Sequence, residues 1–276
     1  MRFLTYTNLF IAFCAAFATW QTFIIIQKPI NLNLIAISFF GTLATYNFQR
    51  LIKISKYQKF ENSRRTWVLN NKKTIWAITF ISFLLSIVFF IKIISLKIIA
   101  FLFIGLLMAI FYAVKPGFGL NRLRDIPFAK TFFVGLVWSI ISAGMPCVFY
   151  DLNYQKTALI MIQQFLFITA ITIPFDIRDI EMDKMHGVRT FATHFGEKVS
   201  VYISTTFLLL SFLIDFLLFK NFDLVAKLFI GLLISGFVAI VFIFKTKKTN
   251  HEYFWSLGLD GTIMFQTLLL YFFKHL

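Results

Sequence analysis

Residues 157–183 read TALIMIQQFLFITAITIPFDIRDIEMD, an apolar run that ends abruptly in a cluster of acids. Four of the chain's 12 acidic residues fall in the last eight of these positions. On a helix, Asp176, Asp179 and Asp183 stand at i, i+3 and i+7, so their carboxylates share one face. Such a face predicts a site for a hard cation such as Mg²⁺, which takes oxygen ligands and bridges to substrate phosphates. The alternative is a solvated acidic loop whose basic neighbours pair with the acids.

The composition predicts an all-α, polytopic membrane protein. The chain has 276 residues, of which 59% are hydrophobic and only 14% are charged, whereas soluble domains average about 25% charged residues. Apolar segments long enough to cross a bilayer recur along its length. These runs are continuous rather than alternating, which favours helices over a β-barrel.

About nine segments are expected to span the membrane. The connections at 28–31, 95–96 and 220–223 are very short, so the helices on either side of each should form antiparallel hairpins. No connection has room for a long soluble insertion, and residues 1–276 are therefore expected to form a single transmembrane domain. The predicted spans are 9–27, 32–52, 74–94, 97–115, 131–149, 157–175, 199–219, 224–244 and 254–273.

The distribution of basic residues predicts the orientation in the membrane. Of the 27 Lys and Arg residues, 20 fall at the N-terminus and in alternate loops, and the opposite loops hold 7. The positive-inside rule places the richer set, the N-terminus and the acidic run in the cytoplasm and the C-terminus outside. Topology and attraction to anionic lipid account for the net charge of +15 without a nucleic-acid partner.

A second chemical signal lies between the fourth and fifth predicted spans. The sequence FYAVKP at 111–116 is followed by Arg122, Arg124 and Lys130. A cationic cluster opposite a carboxylate–metal site suits a diphosphate, because Lys supplies a point charge and Arg a bidentate fork. The alternative for each of these residues is a positive cap on the cytoplasmic side.

These elements carry a resemblance to a known family. The acidic run at 176–183, the sequence GVRT at 187–190 and Gly196 resemble the second Asp-rich motif of UbiA-type intramembrane prenyltransferases. Tyr112 and Lys115 resemble that family's Tyr-x-x-Lys element. The resemblance extends over nearly the whole chain and implies helices bundled around a central cavity, with the active-site loops on the cytoplasmic side.

The resemblance also implies an activity. The family transfers a prenyl group from a polyprenyl diphosphate to a lipophilic, often aromatic, acceptor within the membrane lipid. By resemblance, the three Asp residues of the second motif would hold Mg²⁺, and Lys115 with Arg122 or Arg124 would bind the diphosphate. Tyr112 would stand near the ionising carbon, where its ring can stabilise developing positive charge.

The chain departs from the family in the first Asp-rich motif, N-D-x-x-D-x-x-x-D. The corresponding stretch, residues 46–55, reads YNFQRLIKIS. Asn47 matches the family's Asn, but Phe48, Leu51 and Ser55 take the places of the three Asp residues. This departure argues against a second Mg²⁺ bound by carboxylates.

Other polar residues could compensate for the missing carboxylates. We expect Arg50, assisted by Lys53, to contact the diphosphate directly together with Asn47, replacing Asp plus Mg²⁺ with a fixed cation. An interfacial Arg that reaches toward lipid headgroups is the alternative. Asp260 falls within the last predicted span, and charged residues at that depth usually face an interior cavity. Asp260 is therefore a candidate cavity-lining residue.

Three classes of function remain open at this point. The first is an active prenyltransferase with one metal and an altered diphosphate site. The second is a degenerate family member that binds isoprenoid or lipid without catalysis. The third is a small membrane transporter that uses Asp260.

Overall fold

The computed structural model describes residues 2–56, 63–113, 126–185, 187–246 and 253–276. Within these ranges the chain forms α-helices and two π-helical segments and contains no β-strand, which confirms the predicted all-α class. The helices are α1 (Arg2–Tyr6), α2 (Leu9–Ile25), α3 (Leu32–Lys56), α4 (Ser63–Asn70), α5 (Lys72–Ile91), α6 (Leu96–Ala113), α7 (Ala129–Ser139), α8 (Met145–Phe149), α9 (Tyr154–Arg178), α10 (Ile180–Met185), α11 (Phe191–Asn221), α12 (Ala226–Lys245) and α13 (Gly261–His275), and the π-helical segments are Ile140–Gly144 and Phe254–Asp260.

Helices coincide with all nine predicted spans in the described ranges. Two apolar helical stretches are too short to meet the length expected of a membrane span: Leu9–Ile25, which is α2, and Leu96–Met108, the first part of α6. The number of membrane crossings stays a prediction. Six helical stretches are long and apolar enough to cross a membrane, namely Lys72–Ile91, Ala129–Phe149, Tyr154–Arg178, Phe191–Asn221, Ala226–Lys245 and Phe254–His275.

Two apolar clusters form the interior, one above the other along the bundle. The first joins the start of α2 to the end of α9 and includes Cys14, Ile171 and Trp255. The second joins the end of α2 to the start of α9 and includes Phe23 and Ile160. Because α2 and α9 contribute residues to both clusters, packing holds the start of α2 and the end of α9 in place.

The outer surface of the bundle is apolar, as a lipid-facing surface requires. Large hydrophobic side chains are exposed on several helices, including Phe80 on α5, Phe103 on α6 and Phe237 on α12. On a soluble protein such a surface would be an aggregation hazard. Its presence on successive helices agrees with the predicted membrane location.

The acidic run does not continue as one uninterrupted helix. Helix α9 ends at Arg178, Asp179 adopts φ −95° and ψ 9°, and α10 begins at Ile180. The break is shallow, because the N–H of Asp183 still donates to the carbonyl of Asp179 at 2.8 Å. Asp179 therefore lies at the junction of the two helices, between Asp176 on α9 and Asp183 on α10.

Candidate functional site

A polar cavity of about 310 Å³ opens among the helix ends at one end of the bundle. Helices α2 and α7 begin there, α9 ends there, and the last turns of α3 form part of the wall. Basic and acidic side chains therefore converge from elements far apart in sequence. The charged residues of the lining are Arg50, Arg64, Lys130, Asp176, Arg178, Asp179 and Asp260.

The carboxylates of Asp176 and Asp183 converge on a single ammonium group. The Nζ atom of Lys130 lies 2.9 Å from Oδ1 of Asp176 and 3.0 Å from Oδ2 of Asp183. It donates a well-aligned hydrogen bond to Asp183, whereas its contact with Asp176 is an ion pair without hydrogen-bond alignment. The Asp176 and Asp183 side chains are only 2% and 9% exposed, so this cluster is largely removed from solvent.

The third carboxylate of the motif lies on the cavity wall and has its own cationic partner. Asp179 accepts hydrogen bonds from Nε and Nη2 of Arg178 at 2.8 and 3.1 Å. The guanidinium of Arg178 also stacks over the Phe175 ring, at 4.9 Å from its centroid, and lies 5.8 Å from that of Trp255. These contacts fix the direction of the Arg178 fork at the mouth of the cavity.

The loop after the acidic run supports this arrangement. Gly187 and Gly196 both have positive φ, at 66° and 80°, a conformation that side chains disfavour. Between them, Thr190 and Thr193 form a reciprocal capping box at the start of α11. The carbonyl of Arg189 accepts a hydrogen bond from the N–H of Phe128 at 2.9 Å, which ties this loop to the start of α7 and thereby positions Lys130.

The opposite wall is built on the N-terminal segment. Asn47 of α3 is fully buried, donates to the Thr7 carbonyl at 2.9 Å and accepts from Nδ2 of Asn8 at 2.8 Å. Asn8 has φ 61° and separates α1 from α2. The Asn47 amide therefore serves to hold this sharp turn against α3, and Asn47 is not among the residues that line the cavity.

Two guanidinium groups bind the same segment from the cavity side. Arg50 donates to the Tyr6 carbonyl and to Oδ1 of Asn8. Arg64, from α4, donates to the Thr5 carbonyl at 2.8 Å and lies 5.9 Å from the centroid of the Tyr6 ring. These contacts hold the guanidinium groups of both arginines in the cavity wall.

The deeper part of the cavity is aromatic and apolar. Tyr46 and Trp138 line it, and Nε1 of Trp138 donates to the Tyr46 hydroxyl at 3.2 Å. Phe10 and Phe175 contribute further rings. Since an aromatic face attracts positive charge, this region suits a cationic group.

Asp260 occupies the last position of the π-helical segment Phe254–Asp260 and lines the same cavity. Its backbone carbonyl accepts a hydrogen bond from Sγ of Cys14 at 3.3 Å, which joins the segment to α2. Single π-helical turns occur frequently at functional sites. The expected location of Asp260 on an interior cavity agrees with this geometry.

The structure thus brings together only part of the set chosen from sequence. Arg50, Asp176, Asp179 and Asp260 line one cavity, and Asp183 joins it through Lys130. Lys130, a member of the cationic cluster expected opposite the carboxylates, does line the cavity. Sequence reasoning missed Arg64, because nothing in the sequence separates it from other basic residues near helix ends. Five predicted positions are not described at the side-chain level: Lys115, Arg122 and Arg124 lie outside the described residues, as do the side chains of Lys53 and Tyr112.

The carboxylates have the chemistry of a magnesium site, and a cation already lies between two of them. All the candidate ligands are oxygen atoms, the type that Mg²⁺ prefers, and the Lys130 ammonium occupies a position that suits positive charge. In this arrangement no three acidic, histidine or cysteine side chains within the described ranges stand close enough together to enclose a metal ion. The donor set has the chemistry that Mg²⁺ prefers, and the Lys130 ammonium lies between two of its members.

The comparisons with known proteins decide the family. The UbiA prenyltransferase family matches residues 69–265, well over half of the chain. The chain belongs to the UbiA prenyltransferase family. A comparison with curated protein sequences finds no match.

Solved UbiA structures share the fold of this family member along its whole length. One is a UbiA homologue from Archaeoglobus fulgidus bound to GPP and Mg²⁺, with a TM-score of 0.70, 10% identity and 100% coverage of both chains. A UbiA homologue from Aeropyrum pernix K1 has a TM-score of 0.67 and 12% identity, covering 94% of this chain and 96% of that one. A structure from work on digeranylgeranylglyceryl phosphate synthase has a TM-score of 0.62 and 17% identity, covering 99% of this chain and 97% of that one. The chain is therefore an integral membrane protein with the UbiA fold.

Proposed function

We propose that this protein is a membrane prenyltransferase that moves a prenyl group from a polyprenyl diphosphate to a lipophilic or aromatic acceptor. The observation that carries the proposal is the cavity itself, in which carboxylates face guanidinium groups above an aromatic interior. A diphosphate fits the charged upper part, and an apolar chain with its developing cation fits the lower part. A UbiA homologue of the same fold has been solved with GPP and Mg²⁺, which supports this assignment.

The two walls divide the work of binding the diphosphate. Asp176, Asp179 and Asp183 would hold Mg²⁺, whose charge stabilises the diphosphate as a leaving group. On the opposite wall, Arg50 would donate directly to phosphate oxygens. Lys115, with Arg122 or Arg124, would bind diphosphate oxygens from the segment between α6 and α7. Guanidinium groups can replace part of the charge that carboxylate-bound metal supplies elsewhere, because they bind phosphate oxygens in a bidentate manner.

The interior of the cavity would control the carbocation. As the bond to the diphosphate breaks, positive charge develops on the allylic carbon, and nearby aromatic rings stabilise it. The resemblance gives this role to Tyr112, and the rings of Tyr46 and Phe175 line the cavity. The apolar lining would exclude water, so that the cation meets the acceptor rather than hydrolysing. Asp260 would contact a polar group on the acceptor.

Binding of a long prenyl diphosphate to the purified protein tests this proposal. We expect binding that depends on Mg²⁺ and weakens at least about tenfold in Asp179→Ala, the loss expected when one charge-assisted contact is removed. Glu181→Ala is a matched control, because Glu181 is exposed in the same acidic run and does not line the cavity. Absence of binding, or binding indifferent to Mg²⁺ and to Asp179, would contradict the proposal.

Non-catalytic binding of isoprenoid or lipid is the second candidate, and the first Asp-rich motif favours it. Phe48, Leu51 and Ser55 replace its carboxylates, and Asn47 is used to hold the N-terminal segment. Release of inorganic diphosphate in the presence of membrane-lipid extracts separates the two candidates, since a binding protein releases none. Family membership favours both candidates over a transporter that uses Asp260.

A further inference from the structure

Lys130 occupies the centre of the second Asp-rich motif. Its ammonium lies within 3.0 Å of carboxylate oxygens from Asp176 on α9 and Asp183 on α10. The three side chains come from separate elements, yet the contact between Phe128 and Arg189 and the ends of α7 and α9 hold them together. The lysine side chain is 20% exposed, so it is mostly enclosed but still reaches the cavity.

The position of this ammonium conflicts with a metal ion bound by the same oxygens. Mg²⁺ binds oxygen at about 2.0–2.1 Å, closer than the 2.9 and 3.0 Å that separate Nζ from the two carboxylates. A divalent ion on both carboxylates would therefore sit almost where Nζ lies, and the two positive charges would repel each other. The cation and Lys130 cannot occupy this place together.

We propose that Lys130 is an intramolecular competitor for the divalent cation. It offsets part of the negative charge of Asp176 and Asp183 when no metal is bound, and it leaves them when the metal binds. This inference rests on the proposed function only for the identity of the cation and of the second ligand. The competition itself depends on the geometry of the three side chains.

The cavity offers the displaced ammonium a second place to bind. Lys has a flexible stem with three rotatable donors, and Lys130 already lines the space assigned to the diphosphate. On loading, its ammonium turns from the carboxylates to the phosphate oxygens. Metal alone then binds weakly, because nothing compensates Lys130 for its lost partners, whereas metal and diphosphate together bind tightly.

Binding of Mn²⁺ in the absence of diphosphate tests the competition. The probe is Mn²⁺ itself, followed by electron paramagnetic resonance on the purified full-length protein in detergent. We expect Lys130→Met to bind Mn²⁺ at least about tenfold more tightly than wild type, because the competing charge is gone. Lys130→Arg keeps the charge and should stay near wild type. Lys72→Met removes the same charge from an exposed site on α5 and should also leave the affinity unchanged.

Thermal unfolding provides a second measurement, since Lys130→Met leaves two buried carboxylates without their cation. The variant should unfold at a lower temperature than wild type in chelator, and Mn²⁺ should raise that temperature by more than it does for wild type. Equal or weaker Mn²⁺ affinity in Lys130→Met would overturn the proposal. A variant that Mn²⁺ stabilises no more than wild type, or one that Mn²⁺ does not rescue, would overturn it as well.

Failure of this inference is distinguishable from failure of the proposed function. Unchanged Mn²⁺ affinity in Lys130→Met, with Mg²⁺-dependent prenyl diphosphate binding intact in wild type, would overturn the role of Lys130 alone. Tighter Mn²⁺ binding in the variant, with no prenyl diphosphate binding in wild type, would support the competition and contradict the transferase assignment.

Discussion

At the residue scale, Arg50 shows how one side chain can hold a fold together and face a ligand. Its guanidinium binds the Tyr6 carbonyl and the Asn8 side chain, and it also lines the polar cavity. A guanidinium has five N–H donors in a rigid fork, so one edge can hold protein atoms while the charge acts on the cavity. Anchoring of this kind reduces the entropy lost when a phosphate binds.

Replacement of Arg50 by Ala should therefore weaken prenyl diphosphate binding. A hydrogen bond to a charged group contributes about 1.5–3 kcal/mol, so we expect an affinity loss of about tenfold or more. Isothermal titration with a long prenyl diphosphate at saturating Mg²⁺ measures it. Arg189→Ala is the control, because Arg189 is exposed, carries the same charge and does not line the cavity.

The outcome of this substitution separates two roles of Arg50. Wild-type affinity in Arg50→Ala would mean that the guanidinium serves only to anchor the N-terminal segment. A variant that also unfolds at a much lower temperature would need Arg50→Lys beside it. The lysine keeps a point charge but loses the fork, and it should recover part of the affinity if the charge acts on phosphate.

Acidic site residues were easier to choose from the sequence than basic ones, because acidic residues are scarce in this chain and basic residues are abundant. Acidic side chains are scarce, with 12 in 276 residues, so Asp176 and Asp179 stood out and both line the cavity. Lys130 belongs to the cationic cluster that the sequence places opposite the acids, but nothing in the sequence pairs it with Asp176 and Asp183, and Arg64 is one of the 20 basic residues that the positive-inside rule explains. Only packing between distant helices shows which of these cations meet the acids.

At the element scale, the close contact between α7 and α9 determines the geometry of the site. Gly135 on α7 lies so close to α9 that a Cβ there would stand 2.3 Å from Oγ1 of Thr169 and 3.1 Å from the Phe165 carbonyl. Small residues let membrane helices approach closely. Since Lys130 lies in the first turn of α7 and Asp176 in the last turn of α9, this contact sets the distance between them.

We expect Gly135→Ala to push the two helices apart. The added methyl group meets backbone as well as side chain, and overpacking of this kind costs about 2 kcal/mol. The variant should unfold at a lower temperature and bind prenyl diphosphate more weakly than wild type. Gly41→Ala is a matched control in another helix, because its Cβ would lie 3.6 Å from the nearest atom, Oγ of Ser86. Equal stability of the two variants would contradict this account.

Apolar helices were predictable from the sequence, and the interruptions in them were not. Continuous hydrophobic runs placed segments where the described helices lie, since the bilayer requires long helical stretches. The π-helical segments Ile140–Gly144 and Phe254–Asp260 lie within such runs. They alter the direction in which the side chains point, but they leave no signal in the hydropathy of the sequence. The short helices α1 and α4 contain no apolar run long enough to predict a membrane span. They nevertheless contribute Thr5 and Arg64 to the cavity wall.

At the scale of the whole molecule, interior contacts join the two ends of the chain. One apolar cluster contains both Cys14 of α2 and Ile263 of α13, and Thr267 of α13 donates to the Phe17 carbonyl of α2 at 3.0 Å. The last helix therefore packs beside the first long one, and the cavity depends on residues from Thr5 to Ile263. This arrangement supports the proposal of one domain across residues 1–276.

The orientation of the molecule follows from where its charges lie, and it can be measured by labelling with thiol reagents. Cys14 and Cys147 are both fully buried, so the wild-type protein should give little background. Single cysteines at two exposed positions, Glu181→Cys beside the cavity and Asn221→Cys at the far end of α11, then report the two sides. Because basic residues concentrate at the cavity end, we expect that end in the cytoplasm.

An impermeant maleimide should therefore label Asn221→Cys in intact cells and Glu181→Cys only after the membrane is opened. The reverse pattern would place the cavity on the outer side and contradict the predicted orientation. Labelling of both positions in intact cells would mean that the preparation leaks, and a cytoplasmic marker enzyme checks for that. A cytoplasmic cavity would let the charged diphosphate enter from water while the prenyl chain and the acceptor enter from the bilayer.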